Sequence, residues 1–71
     1  MKGLTQGRIV HWVDGERMHW AAVVVCVIRA AEGEVELYVF PATSGAHLGK
    51  LMVASYDGKA MPYTWHWIEA V

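Results

Sequence analysis

The sequence contains too little cysteine for a disulfide framework. Cys26 is the only cysteine in 71 residues, so no intrachain disulfide can form. It lies in the apolar run AAVVVCVI, where we expect a small buried side chain. A catalytic thiol would need an electropositive, partly exposed setting, which this run does not offer. Packing must therefore hold together a chain that is near the lower size limit for a self-sufficient core.

Long hydrophobic runs are also lacking. The longest, WAAVVVCVI at 20–28, ends at Arg29, whereas a membrane-spanning helix needs about 20 apolar residues. Lys2 is followed by glycine and polar residues rather than by the apolar segment of a secretory signal. We therefore expect a soluble, cytoplasmic protein that has no membrane partner.

An excess of charge of one sign is the third absence. The net charge is −1, and the six lysines and arginines are scattered along the chain. Proteins that follow a nucleic-acid backbone neutralise several phosphates and usually carry a basic stripe. We therefore expect no long nucleic acid as a partner. A small anionic ligand remains possible, because it needs only two or three cationic or N–H donors.

Apolar residues, in contrast, are abundant. Ala, Val, Ile, Leu, Met, Phe, Trp, Cys and Gly make up about 61% of the chain, compared with about 45–50% in ordinary globular domains. A monomer of this size has too little interior to bury them all. The composition therefore predicts a homo-oligomer.

Turn signals divide the chain into five segments. Asp14-Gly15, Glu32-Gly33 and Asp57-Gly58 are typical hairpin turns, and TSGAHLG at 43–49 indicates a longer loop. The segments between them are rich in β-branched and aromatic residues, which favour strands. We predict one all-β domain, 1–71, built as a small five-stranded antiparallel barrel with strands at 7–14, 19–30, 34–41, 50–57 and 63–70.

Alternation within the strands predicts which side chains share a face. In the first strand, Val10 and Trp12 should face one way and His11 the other. The second strand is apolar on both faces. One face can line the interior, and we expect a second copy of the chain to cover the other.

The segments GRIVHWV, AAVVVCV, VELYVF, VASYD and TWHW together resemble a group of very small phage and prophage proteins. That group shares a Gly-Arg-Ile/Val-Val-His-aromatic opening, an Ala-Ala-Ile/Val-Val second strand, a Leu-x-Val-Phe third strand and a near-terminal Thr-Trp-His-Trp. The resemblance covers residues 7–68 and departs from the pattern at Ile68, where many members have proline. It implies an SH3-like small barrel.

The resemblance also implies a function. Several classes of tiny oligomeric phage proteins sequester nucleotide immune signals made by their bacterial hosts. By analogy, we expect a non-catalytic anti-defence sponge in the host cytoplasm, which binds a cyclic nucleotide or an ADP-ribose derivative and needs no cofactor. The alternative is an SH3-like interaction module that binds a host protein or peptide through an aromatic groove.

The candidate ligand-binding residues fall into three chemical classes. Aromatic rings would stack on bases, cations and the 43–49 loop would contact phosphates, and histidines would donate hydrogen bonds. The set is Trp12, Tyr56, Trp65 and Trp67; Arg8, Arg17, Thr43, Ser44 and Lys50; and His47 and His66. Trp65 and Trp67 have a competing interpretation as core residues, with His66 then on the opposite face.

Metal binding and catalysis receive little support from the sequence. The four histidines, at 11, 19, 47 and 66, lack the short paired spacings of zinc sites, so we expect no metal. GAHLGKL at 45–51 has neither the spacer nor the hydroxyl residue of a nucleotide-hydrolysis loop. No Ser-His-Asp or Cys-His arrangement can be argued from the sequence, so we expect that the protein is not an enzyme.

Overall fold

A computed structural model describes residues 1–40 and 49–68. The fold is all-β, and the prediction of five antiparallel strands is confirmed. The strands are β1 (Ile9–Val13), β2 (His19–Arg29), β3 (Glu34–Val39), β4 (Lys50–Ala54) and β5 (Trp65–His66). They form one sheet in the order β4-β3-β2-β1-β5, and a single 3-10 turn, Ala30–Glu32, joins β2 to β3. Each strand is shorter than its predicted segment.

The expected closed barrel is wrong, because the sheet is open. Within the described residues, the edge strands β4 and β5 share no ladder. The chain just after β4 reaches β5 through one isolated bridge, Tyr56 to Trp65, in which the Trp65 N–H donates to the Ser55 carbonyl at 3.1 Å. A strand of two residues is too short to extend this bridge into a ladder that would close the sheet.

One face of the sheet, here called the inner face, carries the core. It is formed by alternate residues of all five strands, with Leu4 of the N-terminal segment packed against them. Val10 lies opposite Ala22, and Val24 lies opposite Leu37, as expected when cross-strand partners share a face. The buried members are Leu4, Val10, Ala22, Val24, Val35, Leu37, Val39, Ala54 and Trp65.

The other face, here called the outer face, is mostly apolar and exposed. A row of cross-strand partners runs from Ile9 through Val23 and Tyr38 to Leu51. Ile9 is 44% exposed and Leu51 is 62% exposed. His11 lies on this face as well, as the alternation in β1 predicts.

The expectation that Cys26 is buried is wrong, because a β-bulge changes the alternation of β2. Val24 pairs with Leu37 and Cys26 pairs with Glu36, so Val25 is an extra residue on β2. A bulge of one residue moves every following side chain to the opposite face. Cys26 is therefore exposed on the outer face, while Val27 turns inward and packs against the core.

The β1–β2 hairpin is organised around the side chain of Asp14. One carboxylate oxygen accepts hydrogen bonds from the backbone N–H groups of Glu16 and Met18, at 2.8 and 2.9 Å. The other accepts a hydrogen bond from the Trp20 indole Nε1 at 2.9 Å. Arg17 completes the turn in the left-handed region, with φ of 64°. The Asp14 carboxylate thus fixes the turn and the position of the Trp20 ring.

Acidification is expected to destabilise the protein through Asp14. Its pKa is lowered from 3.8, chiefly by the Met18 N–H and then by the Trp20 indole; burial opposes this, and the Glu16 N–H adds to it. Since the folded pKa lies below the unfolded one, the stabilisation is complete above the unfolded pKa and is lost as the pH falls through the folded pKa. Urea unfolding at pH 7 and at pH 2–3 measures the loss, which Asp14→Asn should reduce. An unchanged pH profile in that variant would contradict the assignment.

Among the described residues, no helix combines the length and the apolar character needed to cross a membrane.

Candidate functional site

Three histidines from three strands meet on the outer face. His11 lies in β1, His19 begins β2 and His66 ends β5. Each offers one ring nitrogen, and these three nitrogens all lie within 4.8 Å of one another. We call this group the histidine cluster.

The register of the strands produces the histidine cluster. His11 and His66 are direct cross-strand partners. His19 lies opposite Val13, which is two residues from His11 and therefore on the same face. His11 and His19 are thus diagonal neighbours, a relation that long side chains can bridge. Spacing along the chain does not reveal the histidine cluster. The Asp14-Gly15 turn signal and the alternation in β1 nevertheless indicate this register of β1 and β2.

The rings of the histidine cluster meet edge to face. Ring centroids are 5.8 Å apart for His11 and His19, and 5.6 Å apart for His11 and His66. His19 and His66 are closest, at 4.7 Å, with 68° between their ring planes. None of the three pairs is stacked face to face, so the ring edges, which carry the nitrogens, are directed toward the neighbouring rings.

Burial differs across the histidine cluster. His66 is 5% exposed and is the only buried polar side chain among the residues that the structure describes. His11 is half-buried and His19 is exposed. Burial of a polar ring is unfavourable unless its nitrogens form bonds. The cluster thus has a buried floor at His66 and an opening to solvent at His19.

The dimensions of the histidine cluster fit a transition-metal ion. A tetrahedral zinc ion, with Zn–N distances of about 2.0–2.1 Å, holds its ligand nitrogens about 3.4 Å apart. Contraction from at most 4.8 Å requires only small rotations of the imidazole rings. The half-buried His11 and the exposed His19 have room to make them.

A second feature lies on the side of the sheet that carries the core. The guanidinium of Arg8 lies over the Trp67 ring, 5.3 Å from its centroid. Trp67 meets Trp65 edge to face at 5.1 Å, and Trp65 meets Tyr56 at the same distance. The structure therefore brings together four of the predicted ligand-binding residues. Arg8 is exposed, and Trp67 and Tyr56 are half-buried.

Trp65 belongs to the core. It is fully buried, and its indole Nε1 donates a hydrogen bond to the Gly33 carbonyl at 2.6 Å. Its ring face is therefore occupied by the protein and is not presented to a ligand. The sequence TWHW alternates as a strand should: Trp65 lies in the core, Trp67 packs against it, and His66 lies on the opposite face.

The remaining predicted site residues are dispersed. Trp12 is half-buried on the inner face beside Tyr63, and Arg17 lies in the β1–β2 turn. Lys50 is exposed at the start of β4, on the opposite edge of the sheet from β5. The predicted residues Thr43, Ser44 and His47, with most of the 43–49 loop, lie outside the described residues.

Comparisons with protein-family models, with curated proteins and with solved structures give no match for this chain. Any functional conclusion therefore depends on the chemistry of the residues described above.

Proposed function

We propose that the protein binds a transition-metal dication through His11, His19 and His66. The observation that carries the proposal is the convergence of three imidazole nitrogens within 4.8 Å on adjacent strands. Three histidines form a recurrent protein ligand set for zinc. The proposal replaces the expectation, drawn from sequence spacing, that the histidines bind no metal.

The ligand types favour zinc or a neighbouring late transition metal. Imidazole suits Zn, Cu, Ni and Fe, whereas Ca²⁺ and Mg²⁺ prefer oxygen ligands. No carboxylate of the described chain joins the histidine cluster. The rigid ladder of β2, β1 and β5 would hold the three rings in place, and pre-positioned ligands lower the ordering cost of binding.

Zinc titration of the purified protein, followed by calorimetry, tests the proposal. We expect one zinc ion per chain. His19→Ala should weaken binding by at least about a hundredfold, since loss of an outer-shell partner alone typically weakens binding 10–100-fold. His19 is exposed, so the variant should keep the wild-type far-UV circular dichroism spectrum.

Cys26→Ser is the matched control, because it removes an exposed metal-ligating side chain that lies outside the histidine cluster. We expect this variant to bind zinc like the wild type. Equal zinc affinity in wild type and His19→Ala would contradict the proposal.

A second candidate function, binding of a small nucleotide signal, is supported by the pair of Arg8 and Trp67. An indole with a guanidinium at 5.3 Å combines a surface on which a base can stack with a charge that can meet a phosphate. This is the sponge function implied by the resemblance. Its site would differ from the predicted one, because Trp65 is in the core and Arg17 and Lys50 lie elsewhere.

Native mass spectrometry with cyclic mono-, di- and trinucleotides and ADP-ribose derivatives tests the second candidate. We expect a fixed number of one ligand per chain in the wild type and loss of binding in Arg8→Ala and Trp67→Ala. Arg17→Ala, which removes an equal charge from the β1–β2 turn, is the control. An Arg17→Ala defect as large as that of Arg8→Ala would contradict this placement.

Self-association through the outer face is part of the proposal. Support comes from exposed apolar side chains on this face, above all Leu51 and Val53 of β4, which are 62% and 58% exposed. Contiguous apolar patches of this kind are uncommon on soluble monomers. Light scattering should give a mass above 7.9 kDa for the wild type and a lower mass for Leu51→Lys. A wild-type monomer at all concentrations would contradict self-association.

A further inference from the structure

We infer that a metal ion held by the histidine cluster keeps its fourth coordination position open and binds a small anion from solvent there. This inference rests on the proposed metal binding. It assigns the site a ligand class, and it makes the protein a metal-dependent anion binder rather than a closed structural zinc site.

Tetrahedral zinc has four ligands, and the histidine cluster supplies three of them. Among residues 1–40 and 49–68, no aspartate, glutamate or cysteine joins these three side chains. The exposed Cys26 lies on the same face but is not part of the group. The described residues supply no fourth ligand, and we assign that position to a ligand from solvent.

The exposure of the three histidines indicates where the fourth coordination position lies. His11, His19 and His66 all project from one face of the β2-β1-β5 ladder, so the backbone of the sheet lies behind them. His66 is buried and His19 is exposed. An ion bound between them has protein on the side of the buried His66 and reaches solvent on the side of the exposed His19. The fourth position would face solvent there.

The residues next to the exposed side of the histidine cluster determine how much space a ligand has there. Ala21 is the cross-strand partner of His11 and is itself exposed. Its methyl group covers little of the surface beside His11. The side chain of Val13, the cross-strand partner of His19, is buried. The exposed side of the histidine cluster thus lies between the buried Val13 and the small side chain of Ala21, which leaves space for a small ligand.

The charge of the bound metal ion favours an anion as the fourth ligand. Three neutral imidazoles leave a dication with its full charge of +2, because the ligand set contributes no carboxylate or thiolate. The attraction between this charge and an anion is strengthened next to the buried, low-dielectric side of the site. A monoanion, or one oxygen of a phosphate monoester, therefore has an advantage over water. The exchange breaks one metal–water bond, forms one metal–anion bond and releases the water to solvent.

Cobalt-loaded protein provides the test, because the visible absorption of Co²⁺ reports coordination number and ligand exchange. Co²⁺ is added to the 71-residue protein, and the loaded protein is titrated with sodium azide and, separately, with inorganic phosphate. We expect intense bands of tetrahedral cobalt after loading. A saturable change with one anion per metal should follow. Cys26→Ser should give the same titration as the wild type, since Cys26 lies outside the histidine cluster.

The outcomes separate the two proposals. Failure of Co²⁺ to develop protein-dependent bands, or bands that persist unchanged in His19→Ala, would overturn the metal site itself. Tetrahedral cobalt bands that neither azide nor phosphate changes would overturn the open position and leave metal binding intact. A wild-type anion response that disappears in Cys26→Ser would also overturn this inference, since the response would then depend on a group outside the three ligands.

Discussion

Trp65→Ala should remove a large part of the stability of the protein. The indole is fully buried, contacts Tyr56 and Trp67 edge to face, and donates its Nε1 hydrogen to the Gly33 carbonyl. Truncation of a buried tryptophan to alanine costs about 3–5 kcal/mol. A domain of this size has a total unfolding free energy of roughly 4–11 kcal/mol, at about 0.05–0.15 kcal/mol per residue. Urea unfolding followed by far-UV circular dichroism measures the change.

The close packing around Gly33 limits how far the neighbours of Trp65 can move to fill the cavity left by Trp65→Ala. Gly33 has φ of 67°, and a Cβ at this position would lie 2.5 Å from the Tyr56 Cβ. The β2–β3 connection thus passes close to Tyr56 and Trp65 and depends on a glycine. A cavity left by the indole would be lined by this connection and by β5, which is only two residues long.

Two further variants separate the packing of Trp65 from its hydrogen bond. Trp65→Phe keeps most of the apolar volume but leaves the Gly33 carbonyl without its donor, which should cost about 1–3 kcal/mol for the unsatisfied group. Trp67→Ala should cost less than Trp65→Ala, because Trp67 is only half-buried. Equal destabilisation by Trp65→Ala and Trp67→Ala would contradict the assignment of Trp65 as the central core residue.

The sequence predicted the strands well because their signals are local. Turn dipeptides and β-branched segments depend on a few neighbouring residues, so all five strands could be located. The inner face of β1 follows from simple alternation at Val10 and Trp12. Strand pairing at the ends of the chain depends on distant contacts, and these decide whether a sheet closes. The prediction of a barrel failed at that step.

The exposed position of Cys26 could not be predicted from the alternation of apolar residues either. In β2, periodicity of two holds up to Val24 and then fails at Val25, where the bulge begins. The neighbouring sequence is a run of valines, whose side chains fit either face. Nothing in the apolar pattern marks the position of an extra residue there. The bulge is visible only in the pairing with β3.

The histidine cluster was missed for a related reason. Motif rules for metal sites describe spacing along the chain, which suits turns and helices. His11 and His66 are far apart in sequence, and only the pairing of β1 with β5 makes them neighbours. The Arg8–Trp67 pair likewise depends on the folded chain, although both residues were chosen from the sequence for their chemistry.

Zinc should raise the thermal stability of the protein substantially. A ligand that binds only the folded state at a hundred times its dissociation constant stabilises that state by about 2.7 kcal/mol. For a domain of 60–100 residues, 1 kcal/mol corresponds to roughly 4–8 °C in Tm, so the expected increase is roughly 10–20 °C. The folded state alone aligns β1, β2 and β5, and with them the three imidazoles. Thermal unfolding by far-UV circular dichroism, with and without zinc, measures the shift.

Two variants make the zinc result specific to the histidine cluster. His19→Ala should unfold at nearly the same temperature with and without zinc, since two remaining ligands hold the ion weakly. Cys26→Ser, which changes an exposed residue outside the histidine cluster, should keep the wild-type increase. His66 is less suitable for this comparison, because it is 5% exposed and its replacement also disturbs packing against β1. A zinc-dependent increase of equal size in wild type and His19→Ala would show that the ion stabilises the fold from another position.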